Sequence, residues 1–176
     1  MRRQVRGALW ALLAIGIALA IAAPAAAQTS GNETMNGLVV TSGLSGTRTV
    51  VSSVIVAKGV FNGVGRIVEI PNLPTDPDNV SRDDLVFADG SIRIVSTLVD
   101  FSVSGGNGQS CHFNATVQQT VEVVGGTGRF SAASGTFTAT GSGPVLLARN
   151  PDGSCSFEQD PLHEVDMISM SGTLSF

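Results

Sequence analysis

Hydrophobic and polar residues alternate most regularly over residues 112–124. The apolar positions share one face of the extended chain and are Phe113, Ala115, Val117, Val121 and Val123. Successive side chains of a strand point to opposite faces, so this pattern predicts a half-buried antiparallel strand. Gln119 is the one polar residue on the apolar face. A second segment, residues 50–61, is apolar on both faces, which predicts that both faces are covered.

Extended segments of this kind fill most of the chain after residue 47, and no window of helical length shows a 3.6-residue period. The other predicted strands cover residues 66–70, 85–88, 91–103, 136–140, 145–149, 154–158 and 163–176. Glycine-rich turns connect them, and Asp89-Gly90 is a strong hairpin signal. About eight strands joined by short turns predict a barrel or a sandwich. We expect the closed barrel, because a last strand that pairs with an early one removes the sheet edges.

The first 27 residues follow the order of a secretory signal peptide. Three arginines lie among residues 2–6, an apolar run covers residues 8–23, and small residues precede the polar Gln28. This order predicts cleavage before Gln28 and a secreted or periplasmic protein. The alternative is a retained membrane anchor, since the apolar run approaches the ~17 residues that a short span needs.

The segment after the predicted cleavage site is rich in Gly, Ser, Thr and Asn. This composition predicts a flexible leader over residues 28–46, with one short strand at residues 38–40. Residues 47–176 are then predicted to form one barrel domain.

Removal of the signal changes the charge balance. Residues 28–176 hold seven basic and fourteen acidic side chains, a net charge of −7. Such a chain offers no basic surface for nucleic acid and is repelled by anionic lipid, so we expect neither a nucleic-acid partner nor a membrane anchor after cleavage. The only tryptophan, Trp10, lies in the signal, and the sequence has no tyrosine. This argues against aromatic platforms for sugars or single-stranded nucleic acid.

The chain has two cysteines, Cys111 and Cys155. In an exported protein two cysteines are expected to pair, which predicts a disulfide. A pair of free or metal-binding thiols is the alternative reading.

Residues 123–137 read Val-Val-Gly-Gly-Thr-Gly-Arg-Phe-Ser-Ala-Ala-Ser-Gly-Thr-Phe. The segment resembles the G-G-T-G-x-F-x-x-A-x-G segment of plant dirigent proteins, of allene oxide cyclases and of related bacterial secreted domains. The matching positions are Gly125, Gly126, Thr127, Gly128, Phe130, Ala133 and Gly135. Residues 87–92 are similar to the F-x-D/N-G-T/S hairpin of the same bacterial group.

The resemblance covers roughly residues 47–176 and implies a calycin- or dirigent-like fold: a closed eight-stranded antiparallel barrel with a central cavity. It also implies a homo-oligomer, since these proteins often form trimers. The motif itself has a structural reading, in which glycines permit a tight turn and Phe130 plugs one barrel end. Dirigent proteins use cavity carboxylates and a tyrosine, and this sequence has no tyrosine. Allene oxide cyclases use a positioned glutamate, and no residue here matches that glutamate by motif.

Polar residues at apolar-face positions are the candidates for a cavity site. They are Gln119 and, in the neighbouring strand, Asp100. A mostly apolar pocket with a few polar groups is typical of small-ligand sites. The alternative is that Gln119 bonds to the backbone at the barrel rim.

Neither the acidic run over residues 76–84 nor the two histidines, His112 and His163, shows a metal-ligand spacing. The run is either a solvated loop or a set of oxygen ligands for calcium; we predict no metal and no cofactor. Two function classes stay open. One is a secreted non-catalytic barrel that binds a small apolar ligand or serves as a surface or assembly module. The other is a cyclase-like or dirigent-like enzyme acting on an oxidised lipid or phenol.

Overall fold

The computed structural model describes residues 28–44 and 47–176, so the predicted signal peptide lies outside the described residues. Eight strands form one closed barrel in chain order, and every neighbouring pair is antiparallel. The strands are β1 (Ser30–Ser42), β2 (Thr49–Gly59), β3 (Gly63–Ile70), β4 (Val80–Phe87), β5 (Gly90–Asn107), β6 (His112–Gly126), β7 (Ser134–Leu146) and β8 (His163–Ser175). A single 3₁₀ turn, Gly128–Phe130, precedes β7. The predicted fold class is confirmed.

The first strand corrects the prediction of a flexible leader over residues 28–46. β1 pairs with β8 from Ser30–Ser175 to Ser42–His163 and also pairs with β2. Its inward side chains are buried and include Met35 and Val39. The outward positions are mostly polar and small, so the composition resembles that of a loop although every second residue enters the barrel.

Two further boundaries differ from the prediction. Residues 134–146 form one strand where the sequence predicted two, at 136–140 and 145–149. Residues 154–158 form no strand and contribute one isolated bridge, between Arg149 and Cys155. The predicted number of strands is therefore reached through a different set of segments.

The outer face of β2 is not covered, contrary to the prediction from its apolar pattern. Val51 and Val54 are 59% and 41% exposed, whereas Ile55 and Ala57 are buried in the interior. The β6 prediction is confirmed, since Ala115, Val121 and Val123 point inward and are buried.

Four phenylalanines fill one end of the barrel and form what we call the plug: Phe61, Phe87, Phe130 and Phe176. Phe130 is fully buried, and its ring centroid lies 4.9 Å from that of Phe61 and 5.0 Å from that of Phe176. The Arg129 guanidinium covers this cluster, 5.0 Å from the Phe176 ring centroid, within the range of a cation–π contact. The plug closes the end at which β8 finishes.

The glycine-rich segment holds the plug in place through close backbone contacts. A Cβ at Gly126 would overlap the Ser91 carbonyl oxygen, and a Cβ at Gly135 would overlap that of Thr173. Gly135 also has a φ of 155°, which side chains rarely allow. The Thr127 hydroxyl accepts a hydrogen bond from the Ser91 N–H at 3.0 Å, which ties the segment to the β4–β5 hairpin.

Cys111 and Cys155 form the predicted disulfide across 44 residues of sequence. Cys111 lies in the β5–β6 turn, and Cys155 lies in the long connection between β7 and β8. The bond therefore fixes that connection to the barrel at the end opposite the plug.

We expect Gly126→Val to destabilise the protein strongly, because the new side chain meets the Ser91 backbone. Gly108→Val is the matched control, since a Cβ there would have nothing within 4 Å. Phe130→Ala should lower the free energy of unfolding by about 3–5 kcal/mol through the cavity it leaves. Denaturant unfolding of the three variants measures this, and equal stability of the two valine variants would contradict the close-contact argument.

We expect the Cys111→Ser/Cys155→Ser double variant to lose about 4 kcal/mol, the chain-entropy value for a loop of this length. Denaturant unfolding against the oxidised protein tests the magnitude. Titration of thiols in denatured, unreduced protein tests the bond itself, and two free thiols there would show it absent.

Candidate ligand-binding site

A cavity of about 950 Å³ occupies the barrel interior beyond the plug. It opens toward the end where β1 finishes and β8 begins, which we call the mouth. Loop residues such as Pro71, Asn79 and Pro161 line it there. The cavity therefore has one filled end and one end surrounded by loops.

The inward row of β8 shows how the lining changes along the barrel. From the mouth to the plug the side chains are Glu164, Asp166, Ile168, Met170 and Leu174. The four nearest the mouth line the cavity, and Leu174 is buried in the core that includes the plug. The cavity thus has charged groups near its mouth and an apolar floor.

The floor is built by inward residues from five strands. They are Leu85, Ile94, Val121, Ala139 and Met170, all buried. Such a surface can hold an apolar group of a ligand by removing it from water.

Arg48, which precedes β2, is held by acidic groups at the mouth. Its Nε–H donates to Glu164 Oε2 at 2.9 Å, and its guanidinium lies 3.9 Å from Glu69 Oε1. The Arg48 backbone N–H donates to Asp160 Oδ2 at 3.1 Å. The buried Thr41 hydroxyl donates to the same Glu164 oxygen at 3.3 Å. This arginine is therefore paired from several sides.

Asp166 is 5% exposed, and its Oδ1 has no hydrogen-bond partner in the part of the chain that the structure describes. A Cβ on Gly141 would lie 4.0 Å from this oxygen and 3.2 Å from Val117 Cγ2, so the cavity wall beside Asp166 is closely packed. Asp166 and Gly141 both line the cavity. Burial, with the neighbouring Glu164 carboxylate, raises the pKa of Asp166 to about 6.

Asp83 is the second carboxyl group of the cavity whose pKa is raised. It lies on β4 directly opposite Glu69 of β3, and both line the cavity. Burial, with the adjacent Glu69 charge, raises the pKa of Asp83 to about 6. Two cavity carboxyl groups can therefore change protonation near neutral pH.

Of the two cavity residues predicted from the sequence, one lines the cavity and the other does not. Gln119 is half-buried and lines the cavity opposite Leu98. Asp100 is exposed and pairs with the exposed Gln118, because the β5–β6 register shifts between Leu98 and Asp100. The extra residue turns Asp100 outward, as a bulge does. The prediction of Asp100 as a cavity residue does not match this placement.

Three acidic residues of the cavity were not predicted from the sequence: Glu164, Asp166 and Asp83. A signal for the first two was available, since both lie at even spacing from Ile168 and Met170 in the last strand. That spacing places them on the same inward face. Asp83 lies in the acidic run over residues 76–84, for which a solvated loop was one of the two interpretations.

Two other acids of the run over residues 76–84, Asp76 and Asp84, have structural partners. Arg82 binds Asp76 through two hydrogen bonds, of 2.6 and 2.9 Å, and Arg93 binds Asp84 through two of 3.0 Å. Across residues 28–44 and 47–176, no group of three or more His, Cys, Asp or Glu side chains could hold a metal ion. Ion pairing thus accounts for Asp76 and Asp84.

Glu33 is a buried carboxyl group at the other end of the barrel. Its Oε2 accepts the Phe61 N–H at 3.1 Å, beside the plug. Burial raises its pKa, although several backbone N–H groups oppose the shift. We read Glu33 as a structural group that fixes the β2–β3 turn.

Comparison with protein-family models, with curated proteins and with solved structures found no match to this chain. Among the described residues, no helix has the length and apolar character that a membrane-crossing segment requires.

The raised pKa of Asp166 gives a stability test. Folding favours its protonated form, so its contribution is full below the unfolded pKa of about 3.9 and is lost as pH rises through about 6. Asp166→Asn imitates the neutral carboxyl and should raise the melting temperature above that of the wild type at pH 8. The difference should vanish below about pH 4. Asp100→Asn, on the outer face, should show no such trend, and a pH-independent effect of Asp166→Asn would contradict the burial argument.

Proposed function

We propose that this chain is a secreted, non-catalytic barrel protein that binds a small ligand with an apolar body inside its cavity. The observation that carries the proposal is the cavity of about 950 Å³ with a buried apolar floor. This volume falls within the roughly 300–1,000 Å³ typical of small-molecule sites.

Three sequence features support the same proposal. The signal-like order of residues 1–27 favours export, and the acidic chain with few bases disfavours nucleic-acid partners. The glycine-rich segment resembles that of the dirigent and allene oxide cyclase barrels, whose cavities hold small molecules. The same resemblance leads us to propose a homo-oligomer, a trimer by analogy. A surface or assembly role is the other non-catalytic reading.

A second candidate is an enzyme of the cyclase or dirigent type acting on an oxidised lipid or phenol. The observation that favours it is the pair of neighbouring buried carboxyl groups, Glu164 and Asp166, since Asp166 can exchange a proton near pH 6. Against it stands the absence of tyrosine, which the dirigent reaction uses. Turnover of such a substrate that is lost in Asp166→Asn would favour the enzyme.

The ligand-binding proposal is tested with an uncharged fluorescent probe whose emission rises in apolar surroundings. We expect the wild type to bind the probe and Ala139→Leu to weaken binding about tenfold, because the larger side chain fills the floor. Thr140→Leu is the matched control, since the adjacent Thr140 is exposed on the outer face. Failure of the wild type to bind, or equal weakening by both variants, would contradict the proposal.

A further inference from the structure

We propose that the cavity selects amphiphilic amines, with the apolar body on the floor and the protonated amino group donating a hydrogen bond to Asp166 Oδ1. This inference rests on the proposed function and names the ligand class. Its basis is one buried carboxylate oxygen without a partner and an apolar surface along β8, together with an arginine at the mouth whose charge is already paired.

The first observation is a buried carboxylate oxygen that has no hydrogen-bond partner among the described residues. A buried carboxylate oxygen without a donor costs free energy, and a ligand that supplies a donor recovers it. Asp166 Oδ1 is such an oxygen within the described residues, and the Asp166 side chain lines the cavity. Because this oxygen has almost no exposed surface, an N–H or O–H group of a ligand reaches it by displacing the atoms that cover it.

The charge of the lining decides between a cationic and a neutral or anionic head. Six acidic residues line the cavity: Glu69, Asp78, Asp83, Asp160, Glu164 and Asp166. Two arginines line it as well, Arg48 and Arg82, and Arg82 is bound to Asp76. The excess of negative charge attracts a cation and opposes an anionic head group.

Arg48 is the group that an anionic ligand would need, and its charge is already neutralised. Glu164 accepts from its Nε–H at 2.9 Å, and Glu69 lies 3.9 Å from its guanidinium. A ligand carboxylate would have to displace these acids while facing Asp83 and Asp166. A fatty acid therefore fits the site poorly, although its chain would suit the floor.

The spacing along β8 sets the size of the ligand. A strand rises ~3.3 Å per residue, so Ile168 and Met170 lie about 7 and 13 Å from Asp166 along the chain. A primary amine on an alkyl chain of about ten carbons spans that distance. Its head meets Asp166 while its chain covers Ile168 and Met170.

The protonation of the carboxyl groups that line the cavity makes the selectivity for amines depend on pH. The charged groups that line the cavity with Asp166 are Glu164 on its own strand, Arg48 and Asp160 at the mouth, and Glu69 and Asp83 on β3 and β4 across the barrel, with Asp78 and Arg82 beside them. Below about pH 6 the carboxyls of Asp166 and Asp83 are neutral and their attraction for a cation is lost. Amine binding should therefore strengthen as pH rises from 5 to 8, while alcohol binding stays level.

The test is competition against the uncharged fluorescent probe by decylamine, decanol and decanoate at pH 8. In the wild type we expect decylamine to compete about tenfold better than decanol, and decanoate to compete worst. Asp166→Asn should weaken decylamine about tenfold and change decanol less than twofold. Asp100→Asn, which removes one carboxylate from the outer face, should leave all three unchanged.

The outcomes separate this inference from the proposed function. If probe and decanol bind but decylamine binds no better, or if Asp166→Asn leaves decylamine unaffected, the amine inference is wrong while the ligand-binding barrel stands. If decanoate competes best, the charge argument fails. If neither probe nor any of the three ligands binds the wild type, both proposals are overturned.

Discussion

The pairing of β1 with β8 is the contact on which the rest of the structure depends. Without it the sheet would be open, with two unsatisfied edges and no interior. With it, the inward rows of both strands run from the plug to the mouth. β1 carries Met35 in the apolar core and Thr41 at the mouth, and β8 carries Met170 and Glu164 directly opposite them. Closure thus creates the cavity and its polarity gradient together.

The gradient explains why the two ends of the barrel differ in chemistry. Aromatic rings fill the plugged end, so little space is left there for water or a ligand. At the mouth the same inward positions hold carboxyl groups, one of which keeps an unpartnered oxygen. Glu33 beside the plug keeps an unpartnered buried oxygen as well, although its other oxygen accepts the Phe61 N–H. The two ends therefore differ in what surrounds a buried carboxyl group, which is a cluster of aromatic rings at the plug and further charged groups at the mouth.

Sequence patterns predicted what depends on local alternation and missed what depends on register. The period of two over residues 112–124 was enough to place Gln119 inside the barrel. It could not reveal the bulge beside Asp100, because a register shift arises from pairing with the other strand. β1 was missed because its outward half is polar and small, and Asp83 because the acidic run over residues 76–84 also fits a solvated loop. The structural interpretation of the glycine segment agrees with the close contacts that Gly126 and Gly135 make with the Ser91 and Thr173 carbonyl groups.

The disulfide joins the β5–β6 turn to the connection that carries Phe157, Asp160 and Pro161 to the mouth. It lies far from the plug, so it constrains one wall of the entrance more than the barrel as a whole. If the cavity takes up a ligand as proposed, a bond in that position would limit the movement of that wall and lengthen the residence time of the bound ligand. In a reducing compartment, where the disulfide is open, a ligand would associate and dissociate faster while its affinity stayed nearly unchanged. The redox conditions of the compartment would then change the residence time of a bound ligand.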